Sequence, residues 1–74
     1  KKLPTVLLRA GEDRRVRAGH PWAFSNEILM DAETKALPPG TLATLRAPGG
    51  EALALVTFNP HSLIAARVLS TNPE

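Results

Sequence analysis

The chain has 74 residues, 43% hydrophobic and 22% charged, with a net charge of +2 and no cysteine. A chain this short forms one small domain, removes only roughly 60% of its unfolded surface from water, and has no room for a substrate-binding enzyme core beside a cofactor fold. Without cysteine there is no disulfide framework, thiolate metal site or cysteine nucleophile, which fits a reducing, cytoplasmic setting. No apolar run approaches the roughly 18 residues that span a bilayer, and no signal peptide opens the chain, so no membrane partner is expected.

From the N-terminus, "PTVLL" (4–8) reads as a short strand with Pro4 at its edge. "RAGEDRRVRAGHP" then reads as a loop and one short helix. Gly11 stands at its mouth, Glu12 and Asp13 in its first turn, and Arg14, Arg15 and Arg17 toward its C-terminal end, each where the helix dipole favours that charge. Gly19 suits a left-handed position just past the helix, and Pro21 forbids continuation. "WAF" (22–24) is a short strand with Trp22 and Phe24 on one face by the period of two. In so small a domain these two and Phe58, the remaining aromatic, are expected in the core.

"SNEILMDAETKALPPG" (25–40) is mixed, with turn signals at "SNE" and "PPG". "TLATLRA" (41–47) and "EALALVTF" (51–58) are strands joined by the hairpin turn "PGG" (48–50). After the tight connection "NPHS" (59–62), "LIAARVLS" (63–70) is the last β run, in which Arg67 is expected to point outward. Five or six short strands and one short helix after the first strand make a mainly β fold, a sheet curled to protect its edges.

Positions 1–20 hold six basic and two acidic residues, whereas 21–74 hold three basic and five acidic. That asymmetry gives a basic front end able to steer polyanions. Arg14 and Arg17, at i and i+3, share a helix face that Arg15 flanks, and the planar guanidinium is well suited to phosphate. A solvated face that only aids solubility stays open as the alternative. His20 offers a donor or a stacking ring for RNA, or else satisfies nearby carbonyls. "APGGEA" lacks the lysine, serine and following helix of a phosphate loop. His20 and His61 have no thiolate partners for zinc, and Glu27, Asp31, Glu33 and Glu51 show no pairing pattern.

Two stretches, "EDRRVRAGHPWAFSNEI" and "PGTLATLRAPGGEALALVTFNPHSLIAARVLS", resemble the N-terminal PUA domain of bacterial S-adenosylmethionine-dependent rRNA methyltransferases that form 5-methylcytosine in the large subunit. The matching positions are Arg14, Arg17, Gly19, His20, Pro21, Trp22, Phe24, Ser25, Glu27 and Ile28, then Asn59, Pro60, Ser62, Ile64, Arg67 and Leu69. The resemblance implies a PUA-like pseudo-barrel, residues 1–74 forming one RNA-binding domain of a longer methyltransferase, and structured RNA, ribosomal RNA above all, as partner. It implies an RNA face at Arg14, Arg15, Arg17, Gly19 and His20, with Arg67 beside it. Catalytic, metal and cofactor residues are expected to be absent from these residues. S-adenosylmethionine and the catalytic machinery are expected in a downstream methyltransferase domain beyond Glu74. The rival expectation is a structural or protein-interaction barrel that docks its basic face on its own parent protein without touching RNA. The two part on the arginines: exposed and unpaired on one surface, Arg14, Arg15 and Arg17 favour RNA, whereas tied up by Glu12, Asp13 or Glu27 they favour docking or simple solubility.

Overall fold

The computed structural model describes residues 3–71. Five strands form one sheet in the order β1-β3-β4-β5-β2: β1 (Thr5–Leu7), β2 (Trp22–Phe24), β3 (Thr41–Arg46), β4 (Ala52–Phe58) and β5 (Ile64–Ser70). The β3–β4–β5 meander is antiparallel, β2 runs antiparallel to β5, and β1 lies parallel to β3. A bridge between Leu8 and Ile28, with the Leu29 N–H donating to the Leu7 carbonyl, ties the segment after β2 back to β1. The two edge strands are thereby joined, and the sheet curls into a half-barrel, a mainly β, PUA-like architecture.

Extra residues produce the curl. The register with neighbours shifts by one around Ala65 and Leu69 of β5 and Leu53 of β4, and each such bulge raises local twist. The Ala65 bulge explains why Ala65 and Ala66 are both buried, against simple alternation. The core is built from Val6, Leu8, Ile28, Leu45, Val56 and Phe58, with Ala23, Ala43, Ala54 and Ala66 where strands approach closely.

Strand parity in β2 is the reverse of what an aromatic core requires. Ala23 faces inward opposite Ala66, while Trp22 and Phe24 lie on the other face and are only half buried. Of the three aromatics expected inside, Phe58 alone is fully enclosed. The alanine seam between β2 and β5 leaves no space for a ring, so the larger side chains are turned out. Trp22 joins a row running across four strands, Trp22–Arg67–Thr57–Leu42, on the outer face. Arg67 is exposed there, as expected.

Helical structure also differs in detail. The first helix, α1, spans only Arg14–Arg17, so Glu12 and Asp13 precede it rather than filling its first turn. A 3₁₀ turn follows β2 at Ser25–Glu27, and a second helical turn, α2 (Ala32–Lys35), lies where only mixed character is expected from the sequence. Asp31 caps α2 by accepting the Thr34 N–H at 2.8 Å.

Candidate nucleic-acid interface

Gly19 shapes one end of the molecule. Its φ of +101° lies in the left-handed region, its N–H donates to the Val16 carbonyl, and the His20 N–H donates to the Arg15 carbonyl. This pair of bonds is the Schellman stop, which turns the chain out of α1 and brings His20 and Pro21 over the sheet. The result is a cavity of about 440 Å³. Val16, Leu53, Ala54 and Val68 supply its apolar walls, and Arg17, His20 and Glu51 lie at its polar side. The His20 ring meets Trp22 edge-on, with centroids 6.5 Å apart.

The arginines have separate settings. Arg17 Nε donates to Asp13 at 2.6 Å and Nη2 donates to Glu51 at 2.8 Å. These bonds, Glu51 first, hold the guanidinium pKa above its ordinary value. They hold the Asp13 and Glu51 carboxyls below theirs. Arg15 Nε donates to Glu27 at 3.2 Å, and its guanidinium lies 5.4 Å from the Phe24 ring centre. Glu27 is a buried bracket, its side chain 8% exposed against 44% for Arg15. Its other oxygen accepts the Phe24 N–H at 2.8 Å. Arg14 is exposed and makes no side-chain hydrogen bond or ion pair among the described residues.

The expected site residues are therefore gathered only in part. Arg17, Gly19 and His20 line the cavity; Arg15 reaches Glu27 of the 3₁₀ turn, and Arg14, exposed on the same short helix, is not among the cavity residues. Arg67 borders a different cleft, with Thr57, Asn59 and Ser62, and reaches the site only through its strand neighbour Trp22, which touches His20. An unpaired cationic ridge is not present among the described residues. Arg15 and Arg17 are both engaged by carboxylates, from Glu27 within the next turn and from Glu51 across the β3–β4 hairpin.

Glu27 and Asp13 are two of the acids named as able to tie up the arginines, and both do so. Two contributors are not legible in the sequence. Glu51 shows no pairing pattern there because its partner is 34 residues away. Arg9 reads only as charge, yet its N–H donates to the Glu27 carbonyl and its Nε to the Ile28 carbonyl, placing a second cation beside the Arg15–Glu27 bracket. The Asp13–Arg17 pair is of the legible kind, since i,i+4 acid–base spacing on a helix end favours contact.

Comparison with known proteins matches residues 6–71 to the PUA-like domain family. The chain is 39% identical over 65 residues to the ribosomal RNA large subunit methyltransferase I of Pseudoalteromonas translucida, covering 88% of this chain and 16% of that protein. It is 37% identical over 71 residues to the protein of the same name from Vibrio cholerae, covering 96% and 17% respectively. The chain thus spans about one sixth of the length of these curated relatives. On the extent of the family match and the curled five-strand sheet, the chain belongs to the PUA-like domain family.

Proposed function

We propose that this domain binds structured ribosomal RNA, in the cytoplasm, and positions it for a cytosine-methylating domain of the same protein during rRNA processing. The observation that carries the proposal is the pre-set Arg15. Its Nε is fixed by a buried carboxylate and its guanidinium carbon lies over the Phe24 ring, 5.4 Å from the centre, while its outer nitrogens make no bond among the described residues. A guanidinium held in this way loses little side-chain freedom on gripping a phosphate. Arg14 beside it, Arg9 on the other side of Glu27, and the cavity under His20 extend the contact surface. The likeness to rRNA methyltransferases supports RNA as the partner.

On this reading the role of these residues is binding and orientation, and the methyl donor is held elsewhere in such a protein.

Because acids offset Arg15 and Arg17, binding rests on a few directed interactions more than on a bulk field. Neutralising about three phosphates gives a slope of about −3 in log K against log salt. Replacing Arg14 and Arg15 together by alanine should leave a cooperative melting transition, weaken binding to a large-subunit rRNA fragment, and lower that slope by about one for each phosphate no longer held. Unchanged affinity at low salt overturns the proposal. The docking reading has its own support in the acid-bound arginines and in Leu42, Leu63 and Leu69, which are 44%, 73% and 55% exposed. It predicts no RNA affinity in the isolated chain.

A further inference from the structure

The cavity under His20 has a rim whose chemistry is more specific than phosphate binding requires. Arg17 and Glu51 lie side by side there, locked by a 2.8 Å bond between Nη2 and Oε1. Asp13 holds Arg17 from behind through Nε. This arrangement leaves Nη1 of Arg17 as a donor and Oε2 of Glu51 as an acceptor, neither bonded to a described residue. The Glu51 side chain is 65% exposed, so its second oxygen is open to an incoming group. Behind the rim the walls are aliphatic, from Val16, Leu53 and Val68. At about 440 Å³ the space falls within the range of small-ligand sites.

Resting on the RNA-binding reading, we infer that this cavity takes one unstacked guanine base, with Glu51 accepting from its N1–H and 2-amino group and Arg17 donating to O6. A carboxylate accepts paired hydrogen bonds and donates none. Of the four RNA bases, guanine alone presents two adjacent donors on its Watson–Crick edge, with an acceptor next to them. Single-stranded RNA is read on that edge once its bases are splayed out. The apolar walls cover the base faces, and the ion pair fixes donor and acceptor in register before the base arrives. A phosphate would instead be repelled by Glu51.

The test is a fluorescence-anisotropy titration of this chain with labelled uridine RNAs of about nine nucleotides, carrying one central guanosine, adenosine or inosine. Guanosine should bind about tenfold tighter than adenosine, with inosine, which lacks the 2-amino group, in between. Glu51→Gln should erase the preference while all-uridine affinity holds or rises, since Arg17 loses a negative partner. Leu53→Trp, checked for an intact melting transition, should also erase it by filling the cavity. Equal binding of the three RNAs overturns the guanine site and leaves the RNA-binding reading standing, as does a preference that survives Glu51→Gln. Failure of every one of these RNAs to bind overturns the guanine site, and the RNA-binding reading then stands or falls on the large-subunit rRNA fragment.

Discussion

The β3–β5 meander and the segment from Arg9 to Ile28 are held by different forces. In the meander, backbone ladders run over six and seven residues and enclose Val56 and Phe58 completely. The Arg9–Ile28 segment has one four-residue helix with no buried side chain, one three-residue strand and one 3₁₀ turn. Besides the β2–β5 pairing and the buried Ala23 and Ile28, its order comes from side chains: all three ion pairs among the described residues involve it. One part is a scaffold stabilised by burial, and the other is a largely polar assembly pinned to it by the β2–β5 pairing, Ile28 and the Arg17–Glu51 bond. A domain this small has too little apolar surface to build both ends in the same way.

That contrast can be broken first at the scaffold. Phe58→Ala removes the largest enclosed side chain and should cost about 3–5 kcal/mol, against a total stability of about 4 to 11 kcal/mol for a chain of this length. Denaturant titration should show the transition moving close to zero denaturant, with both regions lost together. A polar-end substitution should act less and more locally. Glu27→Ala strips the Phe24 N–H and Arg15 of their shared acceptor at a site only 8% exposed, at a cost of about 1–3 kcal/mol. Glu27→Gln, which retains one carbonyl for the Phe24 N–H, should recover part of that. RNA affinity should fall in both variants, because each releases Arg15.

The smallest effect is expected from pH. Asp13 and Glu51 titrate below their ordinary values because Arg17 hydrogen-bonds them. Their pairs therefore add stability above the unfolded carboxylate range near pH 4, and lose it as pH falls through the lowered folded values. Arg17→Ala should flatten that acid limb in a stability–pH series and leave stability at pH 7 nearly unchanged, since exposed pairs contribute little. A large loss at neutral pH would mean that the polar end is not the surface assembly described.

The sequence made some of this plain and hid the rest for physical reasons. Gly19 followed by His20-Pro21 announced the helix stop, and "PGG" between two alternating runs announced the hairpin, because turn chemistry is local. The inward placement of Ala23 was not legible. It depends on the β2–β5 register and a bulge at Ala65, and Trp22 and Phe24 carry the same period whichever way the strand faces. The α2 turn carried a readable Asp31 cap that the surrounding turn residues obscured. The residues proposed for RNA lie at one end except Arg67, but the Arg17–Glu51 pairing was invisible. Glu51 reaches Arg17 only because the hairpin folds beside α1.

The parallel pairing of β1 with β3 has a kinetic consequence. Thr5 sits opposite Thr44, so this contact closes a loop that contains α1, β2 and α2, whereas the two hairpins of the meander close over a few residues. Long loop closures are the slow ones. The hairpins can thus form early, and the arginine-bearing end is ordered only when β1 docks. In native-state hydrogen exchange the amides of β1 and β2 should open before those of β4, leaving the RNA-facing end the part of the molecule most easily remade by a partner.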